Sequence, residues 1–222
     1  MTDDRDSVAF ADARARTYEL LSRIFAGDIE PLIALREDEA RLRMLAKTVG
    51  ADPEPLLIDA DRDTLKRSYD ELFAVPGPHY VPPFASAHTR DAPEDAPESP
   101  SAFARSDGGR LGGKIAQRSK TLYSQFGFTP ERDEGIADHI AGQLEFAAHL
   151  AAAADTLSDD VPVGKARGEI LTLLGWLDTF ESAVARQDRL GVYTGVVGLA
   201  HSIVEYDREL FERTRPDHDS LE

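Results

Sequence analysis

The sequence contains no cysteine. That removes disulfides and thiolate metal sites, and it suits a reducing cytoplasm. Long apolar runs are also missing. A membrane helix needs roughly 20 consecutive apolar residues, and "AAHLAAAA" at 147–154 is too short and too weak. The first ten residues, "MTDDRDSVAF", have neither a basic n-region nor an apolar h-region, so no export signal is expected there and a cytoplasmic location is. Catalytic signatures are lacking too. The six histidines are scattered, neither His-Glu-x-x-His nor Glu-x-x-His occurs, and no Ser-His-Asp arrangement is supported. No cofactor or metal is therefore expected. Glu145 and His149 stand four apart, which reads as a surface pair on a helix. Lysine is scarce as well, with 5 Lys against 20 Arg.

What the chain has in excess is carboxylate. Asp and Glu total 41 against 25 Lys and Arg, a net charge of −16. Such a surface repels phosphate backbones, which argues against a nucleic-acid partner. One reading is a solvated surface that keeps the protein dispersed. The favoured one is adaptation to molar salt, where self-repulsion is screened within a few ångströms.

Helical periodicity recurs along the chain and strand alternation does not. Tyr18, Leu21 and Phe25 share one face of a first helix ending near Gly27, and Leu32, Leu35, Leu42 and Leu45 suggest a second. Leu65, Tyr69, Leu72 and Phe73 form a third stripe. Ile170, Leu173, Leu174, Leu177 and Val184 form another. The clearest runs through Val192, Val196, Leu199, Ile203, Tyr206 and Leu210. "TPER" at 129–132 reads as an N-cap Thr with Pro at the first helical position. The expectation is an all-α, single-domain bundle of seven to eight helices. Residues 90–113, rich in Pro, Ser, Asp and Gly, are expected to form a mobile loop between two halves that share one core. Within that loop "GGRLGGKI" places Gly108, Gly113 and Lys114 like the first part of a phosphate-cradling loop. Ile115 stands where Ser or Thr should follow and no strand precedes it, so nucleotide binding is only the alternative reading. Gly191 and Gly195 in "GVYTGVVG" read as a packing feature that lets two helices approach closely.

Two stretches remain. In "YDELFAVPGPHYVPPFASAHTR", residues 69–90, a helix stripe runs into prolines that fix φ and delete donors. The stiff segment holds Tyr80, Phe84 and His88 with little entropy left to lose on binding. Two outcomes are open on composition: these aromatics fold back onto the core, or they form a binding surface. In "IADHIAGQLEFAAHLA", Ile140 and Leu144 begin a core stripe, and Asp138 and His139 read as a cap with a neighbouring surface histidine.

Together the two stretches resemble the TorD/DmsD/NarJ family of redox-enzyme maturation chaperones. The first resembles that family's aromatic, Leu-Phe, Gly-Pro, Pro-Pro-aromatic-x-Ser pattern through Tyr69, Leu72, Phe73, Gly77, Pro78, Pro82, Pro83, Phe84 and Ser86. The second resembles its Asp-His-Ile…Leu-Glu-Phe helix through Asp138, His139, Ile140, Leu144, Glu145 and Phe146. The likeness covers residues 8–212. The chain departs from the pattern at His88, where the family usually has an aromatic, at Ile136 and Ala137, where prolines are common, and near Gln143, where a Glu is usual.

The resemblance implies a non-catalytic protein. Its partner would be the apo-form of a molybdopterin-containing reductase, bound through the twin-arginine leader or N-terminus and held in the cytoplasm for cofactor insertion before export. It also implies a client-binding set: Tyr69, Leu72, Phe73, Pro83, Phe84, Ser86, His88, Asp138, His139 and Glu145. The protein would act as a monomer or dimer. An acidic surface suits this partner, because a twin-arginine leader presents cations followed by an apolar segment.

Overall fold

A computed structural model of the chain describes residues 3–89, 113–131, 136–153 and 163–214. Helices carry the structure, and among the described residues there is no strand, only one isolated antiparallel bridge between Phe84 and His139. The expected all-α class is borne out. The loop expected over 90–113 lies, apart from Gly113, outside the described residues.

Helix α1 (Asp3–Phe25) buries Tyr18, Leu21 and Phe25 as their spacing predicts. It stops at Gly27, whose φ of +88° strains any other residue. A Cβ there would also stand 3.1 Å from the Tyr69 ring. The stripe Leu32–Leu45 reads as one helix in sequence but forms two, α2 (Glu30–Glu37) and α3 (Glu39–Val49). Asp38 makes the break, leaving helical φ/ψ so that its carboxylate accepts the Arg41 N–H and caps α3. A 3₁₀ turn follows at Glu54–Leu57. Helix α4 (Arg62–Tyr69), capped by Asp61 through the Thr64 N–H, continues into a π-helical turn at Asp70–Ala74.

Beyond Gly113 come α5 (Lys114–Gln125), α6 (Ile140–Ala153), α7 (Val163–Leu173), α8 (Leu177–Gln187) and α9 (Val192–Thr214). The helix start expected at "TPER" is not seen among its described residues: Thr129–Glu131 are irregular, and the Glu131 N–H is taken by the Glu145 carboxylate at 3.1 Å. Arg132 lies outside the described residues, and α6 begins at Ile140. The stripe Ile170–Val184 is also broken, by a turn at Leu174–Trp176 between α7 and α8.

Helix α1 lies along α6, α9 packs across α8, and α9 also meets the 3₁₀ turn Glu54–Leu57. There Gly195 serves as the glycine spacing suggests, since a Cβ would come within 2.9 Å of Pro55 Cβ. One core collects Leu21, Leu65 and Leu72 from before residue 90 and Leu144, Phe146, Phe180 and Val197 from after residue 113. Each such side chain, fully buried, contributes about 1.5–3 kcal/mol. A buried carboxylate also fastens three helices: Asp207 on α9 accepts from Tyr18 (3.0 Å) and Arg14 (3.3 Å) on α1 and from Arg167 on α7. Burial, then the adjacent Asp207 charge, keeps the Tyr18 hydroxyl protonated far above its ordinary range.

Candidate functional site

The residues the resemblance singles out, Glu145 apart, gather along one seam between the two halves of the chain. Tyr69, Leu72 and Phe73 face inward from α4 and the π-turn, at 7%, 2% and 5% exposure. The Tyr69 hydroxyl donates to the Phe25 carbonyl at 2.7 Å, closing the end of α1. The Phe73 ring lies edge-on to Phe25, Tyr69 and Tyr193, at centroid distances of 6.0, 5.5 and 5.6 Å. Such pairs add about 0.5–1.5 kcal/mol each to their area burial.

The proline segment then crosses to α6. Val81 N–H donates to Leu72 C=O at 2.7 Å, Ile140 N–H to Pro83 C=O at 3.0 Å, and Ala85 N–H to Asp138 C=O at 3.0 Å. The last two bonds flank the Phe84–His139 bridge, and the two rings meet edge-to-face at 5.0 Å. Pro82 and Pro83, which lack N–H groups, leave no donor stranded where the segment is buried. The two stretches thus lie side by side.

Asp138 does not serve as the expected cap. It is fully buried, and its Oδ2 accepts the Ser86 N–H at 2.7 Å, across the seam. Its Oδ1 and the Ser86 Oγ are buried without a hydrogen-bond partner among the described residues. The cap of α6 is His139, whose Nδ1 accepts the Ala141 N–H at 3.1 Å, which places the proton of the neutral ring on Nε2. His88 folds inward too, donating from Nε2 to Pro82 C=O at 2.7 Å and stacking on Trp176 at 5.3 Å and 15°. Burial pushes its pKa down to about 4. A neutral imidazole therefore stacks on the Trp176 indole.

Of the ten expected client-binding residues, Tyr69, Leu72, Phe73, Pro83, Phe84, His88 and Asp138 are buried, and Ser86, His139 and Glu145 are partly exposed. Of the two outcomes composition left open, Phe84 and His88 take the first: they fold back onto the core. Glu145 holds the Glu131 N–H, and burial raises its carboxyl above the ordinary range. Sequence reasoning missed the polar cluster behind this seam. Gln143 accepts from Trp176 Nε1 at 2.9 Å and donates to Ser119 Oγ at 3.2 Å, all three side chains being buried. A lone Gln inside an apolar run was the available signal.

Among the described residues no three His, Asp or Glu side chains converge to hold a metal, and no helix is long and apolar enough to cross a membrane. Lys114 opens α5 in an exposed position, and Gly108 lies outside the described residues.

A family model described as nitrate reductase delta subunit matches residues 36–174, a span that holds both stretches and the bridge between them. The chain belongs to this family. The resemblance read from the two motifs is thereby borne out. Within the delta-subunit family, the chain is similar to proteins named Chaperone protein TorD from Vibrio cholerae serotype O1. One, from the classical Ogawa strain, is 30% identical over 222 residues, covering 90% of this chain and 93% of that protein. Another, from the El Tor Inaba strain, is 31% identical over 125 residues, covering 52% of this chain; there the chain spans 57% of its relative's length. No solved structure matches.

Proposed function

We propose that this protein is a non-catalytic assembly chaperone of the cytoplasm. Its partner is the apo-form of a molybdopterin-dependent reductase of the dimethyl sulfoxide, trimethylamine oxide or nitrate reductase type. It binds the twin-arginine leader or N-terminus and holds the enzyme for cofactor insertion before export. The observation that carries this reading is similarity over nine-tenths of both chains to a protein named as a chaperone.

The partly exposed residues of the set, Ser86 and His139 at the seam and Glu145 further along α6, are the ones this reading places nearest the client. The buried ones hold the surface in shape. His139→Ala, checked by circular dichroism for loss of the α6 cap, is the better probe, because Phe84 and Asp138 are 6% and 0% exposed and their removal would disturb the core. Titration calorimetry against a peptide with two consecutive arginines followed by an apolar segment should show saturable binding. His139→Ala should weaken it by about tenfold, the loss typical of a contributing interface side chain. A parent protein that binds no such peptide would count against the client assigned here.

A further inference from the structure

Three buried oxygen atoms beside the seam have no hydrogen-bond partner among the described residues: Asp138 Oδ1, Ser86 Oγ and the Tyr123 hydroxyl. They come from three separate elements. Ser86 lies on the short 3₁₀ turn Ala85–Ala87, Asp138 stands just ahead of α6, and Tyr123 is on α5, which packs against that turn. The Ser86 N–H donates to Asp138 Oδ2 at 2.7 Å, which ties the Ser86 side chain to the same carboxylate. Tyr123 approaches from the other side. Its hydroxyl oxygen lies 3.8 Å from where a Cβ on Gly142 would stand, in the first turn of α6. Burial first, then the Asp138 and Glu145 charges, keep this hydroxyl protonated far above its ordinary range, so it lies within the field of Asp138.

Leaving a buried hydroxyl or carboxylate oxygen unpaired is costly. The two hydroxyls can donate, and an ionised Asp138 Oδ1 can only accept. A molecule that both donates and accepts satisfies all three at once. Calcium or magnesium would need about six oxygen ligands, and no three acidic or histidine side chains converge among the described residues. One turn back on α5, Ser119 takes the Gln143 amide, so the place adjoins the polar layer that ends at Trp176.

We propose that a single internal water molecule is bound here and holds α5, the Ala85–Ala87 turn and the start of α6 in register. It accepts from the Tyr123 and Ser86 hydroxyls and donates to Asp138 Oδ1, about the three bonds usual for a buried water. The water belongs to the architecture of the seam and does not rest on the chaperone reading.

The test is a double-variant cycle on the full chain, read by urea unfolding. Tyr123→Phe and Ser86→Ala each remove one hydroxyl and leave the Ser86 N–H bond to Asp138 in place. A dry, unpaired hydroxyl is better absent, so its loss would raise the unfolding midpoint. A hydroxyl bonded to the water makes its loss lower the midpoint. Both single variants should therefore unfold at lower urea, and the double variant should lose less than their sum, because the two groups share one partner. Oxygen-17 relaxation of the solvent should count one long-lived water fewer in the folded double variant than in the parent. An unchanged or raised midpoint for Tyr123→Phe, strictly additive effects, or an equal water count would each overturn the proposal. So would a Tyr123→Phe loss seen in sodium but absent with a bulky organic cation at equal ionic strength, which puts a metal cation there instead. Should the double variant not fold, the direction of the Tyr123→Phe shift decides.

Discussion

His88 shows how far a single side chain depends on its surroundings. In the folded protein its pKa is about 4, held down by burial, against an ordinary value of 6.5. The unfolded chain therefore takes up this proton first as pH falls. The stability that neutral His88 contributes is complete above pH 6.5 and is lost as pH drops toward 4. The full loss is on the order of 3 kcal/mol for a shift of this size. His88→Gln keeps a donor for the Pro82 carbonyl but cannot titrate. Urea unfolding between pH 7 and pH 4 should show a flatter profile for this variant than for the parent, whatever its stability at neutral pH. Equal slopes would mean that His88 is not the acid-sensitive group. In the sequence His88 was legible as a departure from an aromatic position. Its pairing with Trp176 was not, because the two rings come from distant parts of the chain.

At the scale of elements, close approach decides more than helix propensity. Helix α9 can lie on the 3₁₀ turn Glu54–Leu57 only because residue 195 has no side chain. A Cβ there would meet Pro55 Cβ at 2.9 Å and the Leu56 backbone nitrogen at 3.2 Å, neither at the end of a flexible chain. Gly195→Ala should therefore destabilise by about 1–3 kcal/mol, read as a lower denaturation midpoint. Gly164→Ala in α7 meets open space and should be neutral or slightly stabilising, as the helix propensity of Ala predicts. If both substitutions behave alike, backbone entropy rather than packing governs these positions. The stripe of α9 was legible along its length, and that of α1 only over its last turns, Tyr18 to Phe25. The breaks at Asp38 and at Leu174–Trp176 were not, since apolar spacing continues across both; the first is made by the Asp38 carboxylate capping α3.

Over the whole molecule, the excess of negative charge outweighs any single pairing. Several ion pairs lie on the exposed surface, such as Arg16–Asp12 at 2.6 Å and Arg43–Glu39 at 2.7 Å. Solvent screens pairs of this kind, so they contribute little and do not offset an excess of acid. Stability should rise from dilute buffer to molar salt as repulsion among the carboxylates is screened. Thermal melts at increasing sodium chloride check this, and a flat midpoint would leave an acidic protein without adaptation to salt. The Asp207 cluster should respond least, since its carboxylate is 3% exposed and lies within a lower-dielectric interior.

The sequence by itself determined the helical class, because period and length of an apolar stripe are properties of one local segment. It also determined the family, because the motif residues and their order are read without coordinates. Only the tertiary structure decided which way those residues point. The Tyr69–Phe73 stripe could be satisfied by a client or by the protein's own interior. The choice fell to Phe25, Phe180 and Tyr193, which come from distant segments and already fill that space. Likewise Asp138 reads as a helix cap when only its neighbours are known. The Ser86 N–H, brought across the seam by the backbone bonds that flank the Phe84–His139 bridge, gave its carboxylate a nearer partner.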